Sequence, residues 1–143
     1  MAAFYNYGQV EEDEVSNARL KQLVSKQPVG VAIHSSSGLM SYSKGVLTNE
    51  FLNCSTKQKF INHGVLLVGY GKTSAEDLIY SGLVKQTCEE YWIVRNSWGE
   101  RWGENGFFQI QMYTDNLGID SNACWWGVPE LTVSTNEAFT AAD

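Results

Sequence analysis

Asn62-His63-Gly64-Val65-Leu66-Leu67-Val68-Gly69-Tyr70-Gly71 is a near-continuous apolar run of strand length, bounded by glycines and entered through a histidine. Such a run reads as a buried strand, because it shows no helical period and is too short for a buried helix. After residues 72–90 comes Tyr91-Trp92-Ile93-Val94-Arg95-Asn96-Ser97-Trp98-Gly99, a second strand that ends in an asparagine. Glu100-Arg101-Trp102-Gly103-Glu104-Asn105-Gly106-Phe107 then leads through a glycine-rich turn into a third strand over residues 107–112. Outward from this centre, Val29-Gly30-Val31-Ala32-Ile33, Gly45-Val46-Leu47 and Leu131-Thr132-Val133 read as further short strands, with a Ser/Gly turn at 35–38.

Upstream, residues 11–27 read as one helix. The acidic cluster Glu11-Glu12-Asp13-Glu14 suits a helix N-terminus, and Lys21 and Lys26 suit its other end. Leu20, Leu23 and Val24 form an apolar stripe at helical spacing. Pro28 stops the helix, because it lacks an N–H and forces Gln27 towards extended geometry. One helix followed by many short strands predicts an α+β domain with an antiparallel, barrel-like sheet. Residues 72–90, with Ser81-Gly82 at a candidate hairpin turn, read as a solvent-exposed insertion, and residues 134–143 as a flexible tail.

The chain has 143 residues, the size of one domain, and 43% hydrophobic composition, enough for a core. Ten basic against 16 acidic side chains give a net charge of −6 without any basic run, which speaks against a nucleic-acid partner. The apolar stretches fall short of the roughly 20 residues that span a bilayer, so no membrane span is expected. Nor does the N-terminus show a basic region ahead of an apolar one, as a secretory signal would. Cys54, Cys88 and Cys124 are an odd set at wide spacing. One disulfide with a free thiol, or three reduced thiols, both fit. With no C-x-x-C pair and two histidines, neither a metal site nor a cofactor is expected.

Chemistry concentrates on His63 and Asn96. A histidine acting as general base needs its second ring nitrogen held by a partner that sets tautomer and direction. Asn96 can do so through its side-chain carbonyl without adding charge, which suits a thiolate–imidazolium pair whose counter-charge sits on sulfur. Trp98, two residues on, is placed to lie over that hydrogen bond and keep water away.

NHGVLLVGYG and NSWGERWGENGF resemble the histidine and asparagine motifs of the papain-like cysteine peptidases, and QPVGVAI and residues 42–47 resemble the family between them. The match covers most of residues 5–133. It implies a papain-like cysteine proteinase fold in which residues 1–133 are the right-hand domain. By resemblance, His63 is the catalytic histidine, Asn96 its orienting partner and Trp98 the shield, while Trp102 lines the leaving-group side of the cleft. Asn62, Gly64 and Ala32 fall where the family shapes its cleft and main specificity pocket. Cys54 and Cys124 fall where the family has a disulfide, leaving Cys88 in the insertion. Trp125-Trp126 replace small residues usual in the family, near a pocket floor at Pro129.

The family's nucleophilic cysteine and oxyanion glutamine belong to an N-terminal half. Counting back from His63 puts that cysteine about 70–90 positions before Met1. The resemblance therefore implies hydrolysis of peptide or protein substrates together with an N-terminal half carrying the cysteine, in a lysosomal, vacuolar or secreted setting. The alternative is a catalytically inactive papain-fold subunit of a larger assembly. Both imply an exposed apolar face where the missing half packs.

Overall fold

The computed structural model describes residues 4–11, 15–47, 60–72, 90–112, 118–119 and 124–129. Within them the order is β1 (Phe4–Val10), α1 (Asn17–Val24), β2 (Val29–Ile33), a 3-10 turn (Ser37–Ser41), β3 (Val46–Leu47), β4 (His63–Lys72), β5 (Glu90–Arg95), β6 (Phe107–Gln111) and β7 (Cys124–Pro129). The strands form one sheet in the order β1-β7-β2-β4-β5-β6-β3. All neighbours pair antiparallel except β3 with β6, so the α+β class read from the sequence is the class observed. Among the described residues no helix is long and apolar enough to cross a membrane.

Alternation along the strands builds the core. Val29, Val31 and Ile33 of β2, Val65 and Leu67 of β4, Trp92 and Val94 of β5, and Phe108 and Ile110 of β6 are all buried. Leu20, Leu23 and Val24 of α1 join the same cluster, as their spacing predicts. Burying each aliphatic side chain contributes about 1.5–3 kcal/mol, and this layer fixes which face of β4 and β5 points outward.

Four expectations need correction. The helix spans Asn17–Val24, not 11–27, and no acidic residue lies in its first turn. The start is set by Ser16, whose hydroxyl accepts the Arg19 N–H at 3.1 Å. The end is set by Ser25 and Gln27, whose side chains donate to the carbonyls of Gln22 and Leu23. Those bonds satisfy the last turn well before Pro28.

Second, β4 is buried on one face only. Leu66 is 36% exposed and Tyr70 46%, and an irregularity between Leu67 and Gly69 breaks the pairing register with β5. Third, the Ser/Gly turn is a 3-10 turn that begins at Ser37, and β3 starts at Val46 rather than Gly45. Fourth, β1 and β7 are strands that the sequence did not announce. Gly8 pairs with Trp126 and Gly30 with Trp125, and each indole lies where the glycine's missing side chain would be. The aromatic ring supplies the surface that the glycine lacks.

The hairpin within 72–90, Cys88, Cys54 and hence its pairing with Cys124, the strand at 131–133 and the tail 134–143 lie outside the described residues.

Candidate active site

His63 opens β4 opposite Ile33. The residue before it is tied down: the Asn62 N–H donates to the Ile33 carbonyl at 3.1 Å. Its side chain also grips Ser35 at both ends, accepting from the Ser35 N–H at 2.8 Å and donating to the Ser35 carbonyl at 3.1 Å. Asn62 thus anchors the entry to β4. Asn96 sits just past β5, where its N–H donates to the Gly106 carbonyl at 2.9 Å, and it is 6% exposed.

The two side chains meet. His63 Nε2 lies 2.8 Å from Asn96 Oδ1, and the same oxygen accepts the Ser97 N–H at 2.8 Å. An N–H donor on that atom fixes it as the amide oxygen, an acceptor. His63 therefore donates through Nε2–H, and in the neutral ring Nδ1 is left as the basic nitrogen. Among the described residues Asn96 Nδ2 is buried without a partner, which costs about 1–3 kcal/mol. The site keeps that cost, so the amide's orientation comes from its oxygen side.

Aromatic rings enclose this pair. Trp98, 39% exposed, stacks on His63 with centroids 5.2 Å apart and planes 27° apart. Trp102 meets Trp98 edge to face at 5.1 Å and 82°. Trp102 itself packs against the core, contacting Phe108 at 5.3 Å and Tyr42 at 5.5 Å. Its Nε1–H lies 3.2 Å from both the Leu39 and Met40 carbonyls. The loop between Asn96 and β6 takes this path because of its glycines. At Gly103 (φ 59) an added Cβ would lie 2.6 Å from the Phe107 carbonyl, so only glycine fits. Asn105 (φ 56) and Gly106 (φ 92) make a two-residue turn with both φ values positive, closed by Glu104–Phe107 backbone bonds of 2.9 and 3.1 Å.

Tyr42, buried to 7% exposure, closes the far side, its hydroxyl 2.7 Å from the Gly45 carbonyl and 2.9 Å from Glu104 Oε2. Burial, with the Glu104 charge and hydrogen bond adding to it, pushes its phenol far above the ordinary tyrosine range. A pKa raised in the folded state gives stability that is complete below the unfolded value, about 10, and is lost above it. Between about pH 10 and pH 11, melting temperature should fall more steeply for the wild type than for Tyr42→Phe. Equal alkaline slopes in the two proteins would contradict this.

The opposite face of the sheet carries a continuous cross-strand row: Gln9, Trp125, Gly30, Leu66, Arg95 and Phe107. Trp125 is 47% exposed and Leu66 36%, and with Gly64 and Asn96 they line a concavity of about 650 Å³. Gly64 faces open space within it, and its pairing partner Ala32 is half-buried. His63 is not in the wall of this concavity; along β4 it alternates in step with the buried Val65 and Leu67, and it is half-buried. The structure thus brings His63, Asn96, Trp98 and Trp102 together. Asn62 lies beside them with its side chain committed to Ser35, and Gly64 and Ala32 lie across the sheet. The sequence did not single out Ser97 or Ser35, whose backbone groups hold Asn96 and Asn62; no side-chain pattern marks such roles.

Residues 1–126 match the sequence family described as papain family cysteine protease. The probable cysteine protease RDL2 of Arabidopsis thaliana is 39% identical over 111 residues, which cover 77% of this chain and 25% of that protein. The oryzain gamma chain of Oryza sativa subsp. japonica is 35% identical over 114 residues, 80% of this chain and 26% of that one. Among solved structures, a digestive procathepsin L proteinase from Tenebrio molitor larval midgut superposes with a TM-score of 0.65 and 32% identity, over 91% of this chain and 35% of that one. The bromelain protease from Ananas comosus gives a TM-score of 0.65 at 26% identity, over 89% and 51%. The chain spans about a quarter of the length of these curated relatives.

Proposed function

The chain belongs to the papain family of cysteine proteases, and from that premise we propose that it supplies the histidine and asparagine of a peptide-hydrolysing site. The nucleophilic cysteine and the oxyanion glutamine come from an N-terminal half. The observation that carries this reading is the 2.8 Å bond from His63 Nε2 to an Asn96 oxygen fixed by Ser97. It reserves Nδ1 for a thiol proton.

Each step then has a residue. Nδ1 of His63 takes the thiol proton, and the sulfur attacks the peptide carbonyl carbon. The C–N bond breaks as the imidazolium returns that proton to the leaving amine, and a thioester remains. Water, deprotonated by the same nitrogen, hydrolyses the thioester and regenerates the thiol. Asn96 holds the ring in direction through both halves, and its neutrality leaves sulfur and imidazolium as the charge pair. Trp98 excludes water from the His63–Asn96 bond, where low dielectric strengthens it. Trp102 backs Trp98 on the leaving-group side. Asn62, Gly64 and Ala32 shape the substrate cleft. Substrates are peptides or proteins, and the likeness to plant cysteine proteases and a procathepsin supports a lysosomal, vacuolar or secreted setting.

The face around Trp125 and Leu66 takes the N-terminal half. It runs into the site through Gly64 and Asn96, and relatives about four times longer supply a segment to cover it. The test is peptide hydrolysis by the chain alone and by the chain joined to its cysteine-bearing half. We expect no turnover from the first and turnover from the second. Equal activity from the lone chain, or none from the folded pair, would overturn the reading.

A further inference from the structure

We infer that Tyr42 and Glu104 are positioning residues for the His63 imidazole, acting on it through Trp102 and Trp98. The inference rests on His63 as the working base. One hydrogen bond, from Nε2 to Asn96, fixes the direction of the ring but leaves it free to tilt about the bond axis. Where Nδ1 points is therefore set by whatever fixes the ring plane, and the surface stacked on that plane is Trp98.

Trp98 is 39% exposed and takes its own orientation from two rings, His63 on its face and Trp102 at its edge. Trp102 is the fixed member. Its indole N–H is shared by the Leu39 and Met40 carbonyls of the 3-10 turn, and its ring packs against both Tyr42 and Phe108, which also meet each other. That arrangement requires the 3-10 turn and the 96–107 loop to stay in register. Two side-chain ties hold them: the Trp102 N–H itself and the Tyr42 hydroxyl to Glu104.

The second tie is the stronger kind. Tyr42 has one hydroxyl proton and two acceptors, the Gly45 carbonyl at 2.7 Å and Glu104 Oε2 at 2.9 Å. Both acceptors draw on that proton, and a carboxylate acceptor gives a charge-assisted bond, roughly twice as strong as a neutral one. Glu104 also begins the Asn105-Gly106 turn, so the clasp holds the loop two residues from Trp102. The order of action is clasp, Trp102, Trp98, His63.

The chain has only two histidines, which makes the test direct. His34 lies against Phe60, outside the ring contacts that join Tyr42 through Trp102 and Trp98 to His63, and serves as an internal control. Proton NMR of the full chain reads the ring signals of both in wild type, Tyr42→Phe, Glu104→Ala and Glu104→Gln. Protons over an indole face are shielded, so loosening the stack moves the His63 signals downfield. We expect that shift in Tyr42→Phe and Glu104→Ala, with His34 unmoved. Glu104→Gln, which keeps a carbonyl acceptor, should return His63 towards its wild-type position. The inference is overturned if His63 stays in place while melting temperature falls, or if His34 moves as far as His63. Should Glu104→Ala fail to fold, Tyr42→Phe, which removes a single oxygen, decides alone. These signals need no turnover, so a failed clasp and a failed protease reading are distinguishable.

Discussion

Replacing His63 by alanine in the assembled protease is expected to lower kcat/KM on the order of a millionfold, the scale for removing the histidine that works with a nucleophile. The ring has two nitrogens with separate duties, and alanine removes both. Nothing else among the described residues near Asn96 offers a neutral base, since Ser97 and Trp98 do not take protons at physiological pH. Asn96→Ala should cost less, roughly 10²–10⁴-fold, because the base survives while its direction is lost. Folding should survive both changes, since His63 is only half-buried and Asn96 carries a donor without a partner among the described residues. Steady-state kinetics with intact circular dichroism spectra check the pair. An Asn96→Ala loss as large as that of His63→Ala would mean that the asparagine does more than orient.

The largest stability effect belongs to Trp92. It is fully buried in the middle of β5, pairs with Tyr70 and Ile110 across the two neighbouring strands, and meets the Tyr70 ring edge-on at 6.1 Å. Trp92→Ala should cost about 3–5 kcal/mol, from lost burial plus the cavity left behind. Against a typical total of about 5–15 kcal/mol, that lowers the melting temperature by roughly 10–20 °C. Trp125→Ala is the contrast. Its ring is half-exposed over Gly30, so the loss should be small in the isolated chain and larger in affinity for the N-terminal half. Thermal melts of both variants decide this. Similar losses would show that the outer face contributes to the core.

How far the sequence carried the fold follows from which signals were local. β2, β5 and β6 were legible because their apolar positions alternate or cluster within a few residues. β1 was not, because Gly8 looks like a break until the Trp126 indole is in place across from it, and β7 was not, because Trp125-Trp126-Gly127 shows no alternation. The helix was overextended because the acidic run preceding it mimics an N-terminus, while the actual cap is the single hydroxyl of Ser16. At the site, His63 and Asn96 stood out through motif context, and their side chains lie 2.8 Å apart. The Tyr42–Glu104 clasp was not legible, since its partners lie 62 residues apart and nothing in the two stretches that hold them links one to the other.

The most direct test of the account is a thiol-directed alkylating label applied to the chain joined with its N-terminal half. One cysteine of that half should react rapidly at mildly acidic pH, where ordinary thiols with a pKa of about 8.5 are protonated and slow. His63→Ala should abolish that reactivity. Rapid labelling that persists in His63→Ala, or no labelled cysteine in the folded wild-type pair, would contradict the claim that this chain completes a cysteine-protease site.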